Sequence, residues 1–314
     1  MKWEKFGRIF EVPNTFEWAK THVQCPVVDT VANPDGTFTI YFSSRDQKNV
    51  SRIGSFNYDF NKKIVVSLSD RPLLDLGRDG CFDDSGVMPT SIVRHQGQVY
   101  LFYIGWTQKV RTSYQNSIGL AIRKKNGQFR KCFEGPVIGQ DRFDPIFTGT
   151  CWVMPHGSGF ISYYLSCTEW RSKEPRYNIK MATSENLVEW KKLNRAAIEY
   201  SNDNEGGIAS ASVVANQNLF HMWYSFRGSQ DYRSNLKETY RIGYAKSRDG
   251  TQWQRDDLNV GISLGQKGEW DSEMICYPYV FNIGEQLVML YNGNGFGKSG
   301  IGMAKLPIQS LFSG

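Results

Sequence analysis

LFHMWYSFRG at residues 219–228 and TYRIGYAKSRDGTQWQR at 239–255, separated by a polar insertion, set a pattern that the rest of the chain repeats. The first run ends its apolar part at Tyr224. The second carries Ile242-Gly243, then Ser247-Arg248-Asp249-Gly250 and Trp253. Both runs alternate like strands, and Asp-Gly supplies the left-handed residues of a tight hairpin. One such unit cannot bury both faces of its own sheet, so copies decide the fold.

The copies are present. The Tyr closing the first run recurs at Tyr41, Tyr103, Tyr164, Tyr224 and Tyr291, at spacings of 62, 61, 60 and 67. The second run recurs as Ile53-Gly54, Ile118-Gly119, Ile179-Lys180, Ile242-Gly243 and Ile301-Gly302, at spacings of 65, 61, 63 and 59. Ser184…Trp190, Ser247…Trp253 and Asn126-Gly127…Phe129 follow the second run at equivalent places. A period near 60 with several short strands per unit reads as a propeller blade of about four strands. The expected fold is all-β: a five-bladed β-propeller. A β-sandwich has no reason to repeat a Tyr and an Ile-Gly pair in phase.

The repeat leaves no room for a linker, so residues 1–314 read as one domain. The blades fall near 13–75, 76–140, 141–200, 201–263 and 264–310. The last unit lacks the Asp-Gly-Trp hairpin, and the strand at 3–10 is expected to fill that gap and close the ring. Closure matters because an open ring leaves two unpaired edges.

Composition narrows the function classes. No segment approaches the roughly 18 uninterrupted apolar residues of a membrane span, and MKWEKFGRIFEV has no apolar core of signal-peptide length. The expectation is a cytoplasmic protein. The six cysteines form no CxxC pair and the four histidines no ligand pair, so packed free thiols, no metal and no cofactor are expected. The net charge of +6 is spread over hairpin turns, unlike a nucleic-acid-binding face. Nothing in the residues sets an oligomeric state.

In a propeller the innermost strands line a central channel, so equivalent positions meet in space. Counting back 13 to 15 residues from each marker Tyr reaches Pro26, Pro89, Thr150, Ser210 and Pro278. Five residues earlier stand Thr21, Asp84, Pro145, Glu205 and Glu273, with His22, Asp83, Asp144 and Asp271 beside them. Carboxylates converging on one mouth repel and shift one another's pKa values, which is costly without a task. The alternative is that they cap turns, as Asp83-Asp84-Ser85-Gly86 and Asn204-Glu205-Gly206 also allow. The ends of the first runs form a second ring: Arg45, Trp106, Glu169, Trp170, Arg171 and Arg227. The tryptophans suit a sugar face, and the arginines suit hydroxyls, a carboxylate or a phosphate.

Five units of this length, openings such as FDDSGVMP at 82–89 and the hairpin Ser247-Arg248-Asp249-Gly250-Thr251-Gln252-Trp253 together resemble the five-bladed propeller glycoside hydrolases. These are the arabinanase/xylosidase group (glycoside hydrolase family 43), the invertase/levansucrase group and the mannoside phosphorylases. The nearest likeness is to bacterial relatives of these enzymes, some of which accompany surface-polysaccharide genes. The resemblance implies an Asp before the first-blade Pro, where Cys25 stands. It implies a second-blade Asp, matched by Asp84, and a third-blade Glu, where Phe147-Thr148-Gly149 has none. Arg142-Phe143-Asp144-Pro145 resembles the Arg-Asp-Pro of the invertase group with one residue inserted.

The first reading is therefore a glycoside-hydrolase-like enzyme. Asp84, Glu205 and Glu273 are the candidate acid and base. His22, Arg45, Asp83, Trp106, Asp144, Glu169, Trp170, Arg171, Arg227, Tyr240 and Asp271 are the candidate contacts to a carbohydrate. The second reading is a non-hydrolytic protein, a transferase or glycan binder in polysaccharide synthesis. It would take a sugar phosphate or nucleotide sugar through the arginines.

Overall fold

The computed structural model describes residues 1–171, 173–216 and 219–311. It is nearly all β. β1 (Glu4–Phe10) comes first. Five antiparallel groups follow. The first is β2 (Thr21–Val28), β3 (Phe38–Arg45), β4 (Ser51–Asp59) and β5 (Ile64–Leu68). The second is β6 (Gly86–His95), β7 (Gln98–Gln108), β8 (Tyr114–Arg123) and β9 (Phe129–Lys131). The third is β10 (Phe147–His156), β11 (Gly159–Arg171), β12 (Glu174–Ser184) and β13 (Lys191–Ile198). The fourth is β14 (Glu205–Asn216), β15 (Leu219–Gly228), β16 (Arg241–Ser247) and β17 (Gln254–Arg255). The last holds β18 (Cys276–Ile283), β19 (Gln286–Asn292) and β20 (Ile301–Pro307), and β1 pairs antiparallel with β20 as its outermost strand.

Each group is covered on both faces. In β7, Leu101, Phe102, Tyr103 and Ile104 are all buried in succession, so neighbouring side chains pack to opposite sides. The marker ladders are cross-strand partners: Tyr103 lies opposite Gly119, Tyr224 opposite Gly243 and Tyr291 opposite Gly302. A Cβ on Gly119 would collide with the Tyr103 ring, and one on Gly243 with the Tyr224 ring. The glycine is the space the ring occupies. In the third group Lys180 replaces the glycine, and its ammonium instead reaches Asp144 (3.2 Å) and the Phe143 carbonyl (2.7 Å).

The phenols explain the tyrosines. Tyr103 donates to Asp83 (2.9 Å), Tyr164 to Asp144 (3.0 Å) and Tyr291 to Asp271 (2.8 Å). Each carboxylate also meets an ammonium. Lys131 stands 2.6 Å from Asp83, Lys192 2.6 Å from Asp144 and Lys5 2.7 Å from Asp271. In the fourth group Tyr224 bonds Asp257, which pairs with Arg255 at 2.6 Å. Burial first, and the adjacent carboxylate second, push the Tyr103, Tyr164, Tyr224 and Tyr291 phenols well up, so each remains a donor.

The hairpins after the second run are inter-group wedges. Ser247 Oγ accepts from Gly250 N (2.9 Å), and Ser184 Oγ accepts from Leu187 N (3.0 Å). Trp253 and Trp190 donate back to those residues' carbonyls. Trp253 meets Tyr163 of the third group edge-on at 5.5 Å, and Trp190 meets Phe102 of the second at 5.9 Å.

The innermost strands β2, β6, β10, β14 and β18 adjoin in that order, and β18 lies against β2. All five break register near the same place: after Gln24, Pro89, Thr148, Ala209 and Cys276. Such bulges re-aim side chains. Across the gaps, Cys151 N donates to Thr90 Oγ1 (2.7 Å) and Ser210 N to Thr150 Oγ1 (3.0 Å). Val280 N donates to Ser212 Oγ (2.7 Å), and Cys25 N to Asn292 Oδ1 (2.9 Å). Pro26, Pro89, Thr150, Ser210 and Pro278 line one narrow space of about 20 Å³. No helix among the described residues is long and apolar enough to cross a membrane.

Replacing Asp144 with Asn removes the buried charge shared by Lys180 and Lys192, whose side chains are only 10% and 8% exposed, and leaves Asp141 as the carboxylate on Lys192. Losing one partner of a buried ion pair costs about 3–5 kcal/mol. Urea unfolding of Asp144→Asn should register that loss, while Asp203→Asn, at a fully exposed carboxylate, should stay within about 0.5 kcal/mol of the parent.

Candidate functional site

Where the inner strands begin, they leave a cavity of about 150 Å³. Gln24 and Cys25 of β2, Met88 of β6, Thr150 of β10, Ala209 of β14 and Tyr277 of β18 form its floor. Arg45, at the end of β3, and Trp106, near the end of β7, enter from the side. Asn116 and Tyr177 stand at the starts of β8 and β12, and Tyr240 directly precedes β16. The loop after β15 adds Tyr232 and Arg233, and Phe296 covers one edge.

The charge here is positive. Arg45 donates through Nε to Gln24 Oε1 (3.0 Å) and through Nη1 to Asn49 Oδ1 (2.9 Å), both neutral amides. Burial, and further out the charge of Arg233, hold its pKa below the usual guanidinium range. An arginine nevertheless stays charged. Arg233 has Glu174 at 3.6 Å on the rim. Beneath the floor lies Arg227, 1% exposed, donating to Tyr177 Oη (3.0 Å) and to the carbonyls of Gly228 (2.8 Å) and Pro175 (2.7 Å). It lies 3.8 Å from the centre of the Tyr232 ring. None of the partners of Arg227 is a carboxylate. Among the described residues that line the cavity, none carries a carboxylate.

Two of the lining residues each hold a buried polar atom without a partner: Trp106 Nε1, a donor, and Asn116 Oδ1, an acceptor. The two residues are opposite one another across β7 and β8, and Asn116 is only 6% exposed. The Cys25 thiol is pushed up to about 12 by burial and stays neutral.

The structure distributes the expected residues as follows. Arg45, Trp106 and Tyr240 line the cavity, and Arg227 underlies it. His22 sits close enough to Arg45 to feel its charge, with Nδ1 2.9 Å from Thr21 Oγ1. Trp170 backs the wall, edge-on to Tyr114 at 5.8 Å. Glu169 and Arg171 pair with each other at 2.7 Å, outside the lining. Asp83, Asp144 and Asp271 are turned away from the mouth into the buried tyrosine contacts described above.

The three candidate acids are not brought together in this cavity. Asp84 accepts from Gly80 N (3.0 Å) and Ser85 Oγ (2.7 Å), as a turn cap does. Glu205 is buried and held at both oxygens by Arg255, each at 2.8 Å. Glu273 is exposed, with its backbone N–H on Asn294. Cavity residues outside the expected set include Asn116, Tyr177, Tyr232, Arg233 and Tyr277. A signal for some of them exists. Two residues before each ladder Ile stand Ser51, Asn116, Tyr177, Tyr240 and Ser299, and the second, third and fourth of these line the cavity. Arg233 lies in the insertion of one unit and has no counterpart.

No protein-family model matches the chain. Uncharacterized protein MT1551 and Uncharacterized protein Rv1502, both of Mycobacterium tuberculosis, are each 34% identical over 309 residues, covering 98% of this chain and 99% of theirs. Among solved structures, a glycosyl hydrolase from Bacteroides ovatus superposes with a TM-score of 0.69 at 13% identity, covering 97% of this chain and 94% of that one. A structure described for the GH130 family of mannoside phosphorylases and glycoside hydrolases that target beta-1,2 mannosidic linkages in Candida mannan gives 0.68 at 14%, covering 98% and 94%. A thermostable family-43 glycoside hydrolase gives 0.66 at 17%, covering 94% and 91%. At these identities the likeness is one of fold, that of the glycoside-hydrolase-like propellers.

The buried histidines give the chain a pH signature. Burial first, then the charges of Arg45 and Lys298, lower His22 to about 4, and burial with Lys246 lowers His221 to about 4. Between the ordinary value of 6.5 and about 4 the unfolded chain takes up protons that the folded one refuses. Stability should therefore fall as pH drops through that window. Urea midpoints measured across it should fall less steeply in a His22→Gln, His221→Gln double variant. An unchanged slope would place both imidazoles in solvent-like surroundings.

Proposed function

This chain and the two mycobacterial proteins belong to one family, and we propose that the family consists of carbohydrate-handling propellers whose central mouth takes a phosphorylated sugar. The architecture we infer is a single five-bladed ring over residues 1–314, closed by the N-terminal strand on the last blade. The β1–β20 pairing and the bond from Cys25 to Asn292 support that closure.

The observation that carries the function is the convergence of Arg45 and Arg233 on one cavity with no carboxylate in its lining. Two guanidiniums repel, and burial deepens the cost, so the arrangement favours an anion between them. Trp106 and the surrounding tyrosines offer the aromatic faces and hydroxyls that sugars use. Hydrolysis by two carboxylates needs them roughly 5–9.5 Å apart across the scissile bond. Asp84, Glu205 and Glu273 do not supply such a pair within this cavity, and the thiol of Cys25 stands where the resembled hydrolases carry an aspartate. The geometry thus favours the non-hydrolytic reading: binding or transfer of an activated sugar. A role in surface-polysaccharide assembly in the cytoplasm is part of this proposal.

Titration calorimetry with hexose 1-phosphates tests it. Each guanidinium contact is worth about 1.5–3 kcal/mol, so Arg45→Ala and Arg233→Ala should each weaken binding by roughly 10- to 100-fold. Asp84→Asn and Glu273→Gln should stay within about twofold. Binding that survives both arginine changes, or glycan hydrolysis lost in both carboxylate variants without unfolding, would return the site to carboxylate chemistry.

A further inference from the structure

The cavity does not end at the arginines. A second space of about 250 Å³ adjoins it, and Arg45, Met88, Trp106, Tyr114 and Arg233 line both. The two lobes differ in chemistry. The inner one is walled by tyrosines, with Trp106 and Asn116 in its lining. The outer one is lined by Asn49, Ser51, Ser85, Thr107, Gln108 and Ser113, all uncharged hydroxyls and amides. The guanidiniums therefore stand at a junction, not at the end of a pocket.

A terminal phosphate would leave one lobe unused. From this placement we propose that the ligand's anionic group is internal, joining two hydroxylated units, and that the ligand is a nucleoside diphosphate sugar. The inference rests on the phosphorylated-sugar reading above and narrows it. Charge supports a diphosphate. Arg45 and Arg233 both line the junction, Arg233 with Glu174 at 3.6 Å on the rim, and the buried Arg227 adds its charge from beneath the floor, a field that a diphosphate diester matches better than a single carboxylate does. The inner lobe suits the sugar, to which Trp106, Tyr177, Tyr232, Tyr240 and Tyr277 offer aromatic faces and Asn116 an amide. The outer lobe suits the nucleoside, since its serines, threonine and amides would oppose a lipid tail.

The test is calorimetry on the full chain with four probes: a hexose 1-phosphate, a nucleoside diphosphate, the corresponding nucleoside diphosphate hexoses, and a polyprenyl diphosphate sugar in detergent. Nucleoside diphosphate hexoses should bind at least about tenfold tighter than either fragment, since joining two occupied subsites adds their contributions. Gln108→Ala should weaken the nucleoside diphosphate and the nucleotide sugar while sparing the hexose 1-phosphate. Asn116→Ala should weaken the hexose 1-phosphate and the nucleotide sugar while sparing the nucleoside diphosphate. Melting temperatures near that of the parent would show that both variants fold. Equal affinity for hexose 1-phosphate and nucleotide sugar would overturn the bridging placement and leave the phosphorylated-sugar reading standing. Tighter binding of the polyprenyl ligand would overturn the nucleoside assignment. Failure of every phosphate to bind would overturn both readings.

Discussion

A phenol, a buried carboxylate and a cation from another strand hold three of the units of this fold to their own outer edges. Tyr103 with Asp83 and Lys131, Tyr164 with Asp144 and Lys192, and Tyr291 with Asp271 and Lys5 share that arrangement. The carboxylate comes from the loop before the innermost strand, the tyrosine from the second strand and the cation from the outermost. One contact thus ties three chain segments that follow one another in sequence but not in the sheet. In the last unit the cation is Lys5, so the same contact ties the N-terminal strand to the other end of the chain. Buried ion pairs are weak sources of net stability, because desolvation offsets attraction. Their value here lies in register. A strand slipped by one residue would leave a carboxylate and an ammonium buried apart.

That constraint shapes the site by removing acids from it. Asp83, Asp144 and Asp271 would each be read as facing the mouth, yet all are at most 2% exposed and hydrogen-bonded to the tyrosine of their own unit. Glu205 is engaged by Arg255 in the same way. What remains around the mouth is contributed by the starts of the third strands, by one long loop and by the ends of the second strands. Those positions carry Asn116, Tyr177, Tyr240, Arg233, Arg45 and Trp106. The pocket is therefore aromatic and basic, inside a scaffold that holds Asp83, Asp144, Asp271 and Glu205 in buried contacts.

The unit period was legible because two cross-strand partners repeat. In the second and fourth units the tyrosine ring needs the glycine opposite it, so both stay in phase; in the third Lys180 takes that place and reaches Asp144, and in the first Tyr41 faces Ser55. The convergence of Pro26, Pro89, Thr150, Ser210 and Pro278 followed from the same count. The carboxylate rung was misread for a physical reason. Every inner strand carries a bulge, and Cys25, Ser210 and Tyr277 take left-handed backbone there (φ 53°, 55° and 54°). A bulge changes which face a side chain meets, and no spacing rule reveals it. Arg233 was hidden differently, because an insertion found in one unit has no periodic partner to flag it.

Cys25 and Arg45 are best understood together. An aspartate at position 25 would stand beside the Arg45 guanidinium at the cavity floor, and the two would neutralise each other. The thiol, held up to about 12 by burial, carries no charge at neutral pH. Arg45 then has only the amide oxygens of Gln24 and Asn49, and its charge remains directed at the cavity. The thiol at this position and the unneutralised arginine are two sides of one change. On the function proposed above, the place where the resembled hydrolases carry an aspartate is, in this chain, one that favours an anion.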